Sequence, residues 1–311
     1  MNNIHVRSAR LDDTAAISAL FRARISAWQR WDTLGRVQDT DYETLTIYER
    51  WLHGGAWMSI ETAALHLGAL LLGAGVALVA QVGAEVGAYL EAYHSVEPPP
   101  FGSNLSPAHI VVGSAHANIG LDTMLLDALR AKAKTQKCER LTVAALGAES
   151  ALYTRSGFTT LTSVARYSLP ARTGQIFYKA SAHSEASAAQ INGWSMPVGR
   201  ISSARQQWEA LWPHTWELLP EMRRTYRLKF SAAGGEAFIA CQPQMFNPRA
   251  LDVSVWTQKT LTAQLLTAIR DWAHKEGFRT LLLVVPPEYV SVLGAEAEAD
   301  GYKLDFYSLN L

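Results

Sequence analysis

Residues 63–83, AALHLGALLLGAGVALVAQVG, contain no Asp, Glu, Lys or Arg. A run of this length either crosses a membrane or is buried inside a folded domain, so it constrains the chain more than any other segment. Its internal punctuation decides between the two. Gly73-Ala74-Gly75 separates a helix-like half, with Leu65, Leu67 and Leu70 to Leu72, from a β-branched half running from Val76 to Val82. A buried helix followed by a buried strand accounts for both halves, and no membrane contact is expected.

The flanking sequence extends this pattern. Residues 4–10 are strand-like, and Asp12 and Asp13 precede an amphipathic stretch in which Ile17, Leu20, Phe21, Ile25 and Trp28 recur at helical spacing. A second helical region covers about 40–53, and VALVAQ, VGAE and VGAYLEAYHS read as an antiparallel hairpin with its turn. After a loop at 97–107, residues 110–122 (IVVGSAHANIGLD) form a short apolar strand, a loop with a single late glycine and the opening of a helix. Leu121, Met124, Leu125 and Leu129 line one face of that helix. The strand RLTVAA and a short helix ending in SALYTRSGF complete a strand, helix, strand, helix order, which is α/β.

Residues 171–192 are small, polar and weakly periodic, as in a linker. The order then repeats: a helix over 202–219, a strand pair within 227–244, the strand ALDVSVW, the helix 261–278, the strand TLLLVVPP and a last helix ending EAEADGYKLDFYSL. Leu125, Leu126, Ala133 and Leu141 match Leu265, Leu266, Ala273 and Leu281 at one constant offset, as in an internal duplication. The expected organisation is a unit over 1–170, a linker over 171–192 and a second unit over 193–311.

Lys+Arg and Asp+Glu are both 28, so no global field draws the chain to nucleic acid or an anionic membrane. A small-molecule or peptide partner is expected; the oligomeric state is not encoded. The two cysteines, Cys138 and Cys241, are far apart and signal neither a disulfide framework nor a metal site. Together with an amino-terminal stretch, MNNIHVRSARLDD, that lacks a signal-like apolar run, this points to the cytoplasm.

Strand, glycine loop, helix, strand and the ALYxRxGF ending resemble the GNAT superfamily of N-acetyltransferases. Each half resembles one GNAT unit, a mixed, mostly antiparallel sheet flanked by helices, and the tandem pair is similar in architecture to mycothiol synthase-like proteins. The resemblance implies an acetyl-CoA-dependent N-acyltransferase acting on an amine. Its pantetheine would lie along Ile110, Val111 and Val112, and its pyrophosphate on the loop Ala117, Asn118, Ile119, Gly120, Leu121 and Asp122. Physically this is anion binding at a helix amino terminus. The family usually carries Arg or Gln where Ala117 stands and Gly or Ala where Asp122 stands. Asp122 would set a carboxylate near the phosphates, and Asp is also able to cap the helix itself. Tyr153, in SALYTRSGF, corresponds to the family's general acid for the leaving thiolate. The second half departs further: WTQKTLTA at 256–263 has no glycine, and Ala297 stands at the tyrosine's place. Chemistry is therefore expected in the first unit, whereas mycothiol synthase resembles the reverse.

Acetylation of an amine requires its deprotonation, and Glu91 and His94 in YLEAYHS are the candidate bases, with His109 and His116 flanking the cofactor strand. Trp28, Trp31, Trp51 and Trp57 fall where the resemblance puts the acceptor, which fits an aromatic or apolar amine as well as it fits core packing. Trp208, Trp212 and Trp216, spaced by four, read as a packing stripe. A second reading stands beside the enzyme: a catalytically inactive GNAT-like binding or structural protein that has lost CoA binding, favoured by Ala117 and Asp122.

Overall fold

The structure, a computed structural model, describes residues 4–32, 34–213, 215, 216, 219, 225–232 and 234–311. The chain runs through β1 (Ile4–Ser8), α1 (Thr14–Arg22), β2 (Gln29–Trp31), β3 (Val37–Asp39), α2 (Ile47–Trp51), α3 (Ile60–Ala69), β4 (Val76–Val82), β5 (Glu85–Val96) and β6 (Ser103–Val112). It continues with α4 (Leu121–Thr135), β7 (Arg140–Ala145), α5 (Ser150–Arg155), β8 (Thr159–Pro170), β9 (Tyr178–Ala182), β10 (Ser195–Val198) and α6 (Ala204–Leu211). Last come β11 (Tyr226–Ala232), β12 (Gly235–Pro243), β13 (Ala250–Thr257), α7 (Ala263–Lys275), β14 (Thr280–Val285), α8 (Val290–Leu293) and β15 (Glu298–Asn310).

The charge-free run divides where its glycines predict. α3 ends at Ala69, one wide turn follows, Gly73 takes φ +112, and β4 starts at Val76. That backbone angle is open to glycine and strained for side chains, so the helix stops there. No helix among the described residues is long and apolar enough to cross a membrane.

One mixed, mostly antiparallel sheet organises the molecule, in the order β1-β4-β5-β6-β7-β15-β8-β14-β13-β12-β11-β9, with β10 beside β13. α4 joins the parallel pair β6 and β7, and α7 joins the parallel pair β13 and β14. The matched residues of the two halves are equivalent in space as well as in sequence: Leu125, Leu126, Ala133 and Leu141 are buried beneath α4, and Leu265, Leu266, Ala273 and Leu281 beneath α7. On the opposite face, α1 and α3 cover the first half and a tryptophan cluster under α6 covers the second.

The two halves exchange strands. β15, from the carboxyl half, inserts between β7 and β8, pairing Tyr307 with Val143 on one side and Leu304 with Val164 on the other. β8, from the amino half, pairs in turn with β14, Leu169 opposite Leu281. Phe101, Val164, Val284, Leu304 and Phe306 form a shared core at the crossing. A buried ion pair, Glu97 with Arg200, joins the halves nearby, and Arg200 stacks on the Phe101 ring at 3.9 Å.

Several local expectations are corrected. The segment ending EAEADGYKLDFYSL is the strand β15, not a helix. Leu304, Phe306 and Ser308 are buried and their neighbours are less so, a period of two that only a strand produces. α1 stops at Arg22, so Ile25 and Trp28 lie outside it. The helix expected over 202–219 spans Ala204–Leu211; residues 214, 217 and 218 of that expectation lie outside the described residues. Within 171–192, β9 forms the edge of the sheet, paired with β11.

Candidate active site

Two strands that begin as neighbours and then part make the first feature. β6 pairs with β7 only at Asn104–Arg140 and Leu105–Leu141, while it stays paired with β5 from Ser103 to Val112. Beyond Leu105 the β7 side of β6 therefore faces a slot with no strand in it among the described residues, and main-chain groups there need other partners. Ile110, Val111 and Val112 lie on this free edge. Val111 is buried against the α1 and α3 layer, while Ile110 and Val112 pack toward α4.

The slot leads to the loop before α4. Ala117, Asn118, Ile119 and Gly120 are exposed there, and Leu121 is buried as the first residue of the helix. Gly120 takes φ +76, so this turn needs the single glycine the sequence supplies. The main-chain N–H groups of Asn118, Gly120, Leu121 and Asp122 meet no protein acceptor among the described residues, which leaves an electropositive helix start. Asp122 intrudes on it: its Oδ1 accepts from the Thr123 N–H at 2.8 Å, placing a carboxylate within the first turn.

Tyr153, on α5, is buried in the α4-side core and packs edge-on to Phe158 at 5.4 Å between centroids. Burial, and then the charge of Glu149, pushes its phenol well above the ordinary value, so the hydroxyl keeps its proton at neutral pH.

On the other face, between α2, α3, β5, β6 and α6, lies a cavity of about 650 Å³. Trp51, Trp57, Tyr93, Leu70 and Trp216 wall it, and the Arg205–Glu209 ion pair lies on its α6 side. Alternation along β5 explains its floor. Leu90 and Ala92 face α4, so Tyr89, Glu91 and Tyr93 face the cavity layer. Glu91 is 1% exposed yet accepts from Trp57 Nε1 at 3.1 Å, Tyr89 Oη at 3.0 Å and His66 Nε2 at 3.1 Å. Burial alone would raise its carboxyl; His66 and His109, with the hydrogen bonds from His66 and Tyr89, outweigh burial and hold it down to about 2.

His109 also lines the cavity, with Nε2 3.9 Å from Glu91. His94 does not: its Nε2 lies 3.3 Å from Ser103 Oγ, away from the cavity walls. His116 lies on the loop after β6, 3.8 Å from Glu85. Of the four amino-terminal tryptophans, Trp51 and Trp57 line the cavity, while Trp28 and Trp31 pack on His53 at 4.8 and 4.9 Å. Trp208 and Trp212 stack at 4.1 Å in the core, and Trp216 leaves that stripe to pack on Trp51 at 4.4 Å. His66 was not predicted. Its signal was present, as the one titratable side chain inside the charge-free run.

The carboxyl half has the same parting of strands, but there the slot is occupied. β13 and β14 pair only from Ala250–Thr280 to Val253–Leu283, and β10 enters beside β13, with Val198 opposite Val255. Gly199 closes the plug by donating to Val284 O at 2.8 Å. It has φ +82, and a Cβ there would lie 2.5 Å from Val253 O, so only glycine fits. The start of α7 is closed too, since Thr262 caps it by accepting from Leu265 N.

Neither a protein-family model nor a curated protein matches the chain. Its fold, however, matches solved structures along almost the whole length. A GCN5-related N-acetyltransferase from Kribbella flavida superposes with TM-score 0.60 over 99% of this chain and 72% of that one, at 12% identity. One from Anabaena variabilis gives 0.61 over 98% and 72%, at 10% identity. Eis1 from Mycobacterium abscessus gives 0.56 over 99% and 73%, at 14% identity. The chain thus has the fold of GCN5-related N-acetyltransferases, a large mostly antiparallel sheet flanked by helices.

Proposed function

We propose that the protein is an acyl-CoA-dependent N-acyltransferase whose chemistry takes place in the amino-terminal half. The carrying observation is the unfilled slot beside β6, which opens toward a glycine-turned helix start while its carboxyl-terminal counterpart is plugged by β10. Acetyl-CoA would lay its pantetheine along Ile110 to Val112 and its pyrophosphate against the amides of 118–122. Tyr153, with its proton firmly held, suits a general acid for the departing thiolate. The acceptor would be a primary amine with an apolar body, matched to the tryptophan walls of the cavity.

Calorimetric titration with acetyl-CoA tests this reading. Micromolar binding, abolished by Gly120→Val, supports it, and transfer to an amine panel then defines the acceptor. No binding at millimolar acetyl-CoA overturns it in favour of a GNAT-like binding protein. The position of the Asp122 carboxylate in the first turn of α4 is the observation on that side.

A further inference from the structure

Building on the acyltransferase reading, we infer that His66, through Nδ1, is the base that takes the proton from the acceptor amine, and that Glu91 is the positioning residue behind it. The geometry separates the two roles. Glu91 is enclosed by three donors, with Trp57 Nε1, Tyr89 Oη and His66 Nε2 all on Oε2. Its Oε2 is thus a fully satisfied acceptor, and Oε1 faces His66 Nε2 at 3.3 Å and His109 Nε2 at 3.9 Å. His66 bonds to that carboxylate through Nε2 alone. Among the described residues its Nδ1 has no protein partner and is not enclosed, and His66 lines the cavity.

A carboxylate acceptor at Nε2 fixes the proton there and leaves the lone pair on Nδ1. Packing holds the ring in that orientation, since Trp57 lies edge-on at 5.2 Å and Trp216 tilts against it at 6.4 Å. The local fold explains the position. Ala63 and Leu67 on α3, with Leu70 in the turn that follows, form the buried stripe, and His66 sits one step round from Leu67, at the border between core and cavity. The ionisable groups around it are Glu91, Tyr89 and Tyr93 from β5, His109 from β6, and Arg205 with Glu209 from α6. His109 is outside hydrogen-bond range of Glu91 and lacks the same anchoring.

The proton and electron balance is complete. His66 Nδ1 takes one proton from the ammonium form of the acceptor, and the freed lone pair forms the N–C bond to the acetyl carbonyl. The C–S bond breaks, its electron pair leaves on sulfur, and the thiolate takes the Tyr153 proton. The second amine proton, released as the amide forms, returns to Tyr153 through solvent, and His66 gives up its proton, the net proton of the reaction, to solvent.

The test uses the full-length protein, acetyl-CoA and 2-phenylethylamine as probe, with ¹⁵N-histidine NMR alongside. Three results are expected together. The His66 spectrum reports the Nε2–H tautomer in the neutral ring. His66→Gln binds acetyl-CoA as the parent does but loses about 10²–10⁴-fold in kcat. Glu91→Gln lowers kcat tenfold or more with acetyl-CoA binding unchanged, and its His66 spectrum loses the Nε2–H preference, a change that loss of packing alone does not produce. An Nδ1–H tautomer overturns the inference whether or not transfer is observed. Parental turnover by His66→Gln overturns it while leaving the acyltransferase reading intact. Absence of acetyl-CoA binding by the parent protein overturns both.

Discussion

Glu91 is a buried charge whose stability rests on three neighbours, and its removal exposes what those neighbours require. In Glu91→Ala the donors of Trp57, Tyr89 and His66 lose their acceptor, which costs about 3 kcal/mol or more. The carboxyl lies below its unfolded value, so its contribution is fully present above the unfolded pKa of about 4.3 and is lost as pH falls toward 2. Denaturant titrations of parent and Glu91→Ala from pH 7 to pH 2.5 should therefore converge below about pH 4, with the difference constant above pH 5. Tyr153 makes a simpler prediction. Its hydroxyl has no hydrogen bond among the described residues, so Tyr153→Phe should keep the melting temperature within a degree or two while kcat falls at least tenfold. Tyr153 stands out as a candidate because its residue spacing to Gly157 and Phe158 carries the resemblance. His66 is visible as the one titratable side chain of the charge-free run, but nothing local tells a histidine that lines a cavity from one inside the core.

At the level of elements, two loops that begin equivalent helices have diverged in opposite senses. Before α4 the amides are free and Asp122 intrudes; Asp122→Gly should tighten acetyl-CoA binding severalfold and lower stability by about 0.5–1 kcal/mol, checked by calorimetry and denaturation. Before α7 the slot holds β10. Gly199→Ala, which combines an unfavourable φ with a 2.5 Å contact, should destabilise by more than 2 kcal/mol in a denaturation experiment. The missing glycine at 256–263 announced a changed loop. The plug itself was illegible, because Ser195–Val198 is four residues long and its pairing with β13 depends on contacts about sixty positions away. Misassignment of β15 has a related cause. Acidic, alanine-rich EAEAD favours a helix locally, and long-range pairing with β7 and β8 overrides that preference.

For the whole molecule, the α/β class was readable from periodicity, whereas the exchange of β8 and β15 was not, since register between distant strands leaves no local trace. The exchange implies shared stability. Residues 1–170 expressed alone lack the strand that separates β7 from β8 and should fail to give a cooperative melt, while the full chain should unfold in one calorimetric transition. Two resolved transitions would show that the halves are energetically independent.

The exchanged strand also has a consequence in time. A ribosome completes the half of this chain that carries the β6 slot by residue 170, yet the seam between β7 and β8 stays open until residues 298–310 have emerged. Nascent chains therefore pass through a long interval with two unpaired strand edges exposed, which makes them natural clients of chaperones that shield such edges. Any product stopped short of β15 carries every residue of the cleft and lacks the strand that closes its sheet.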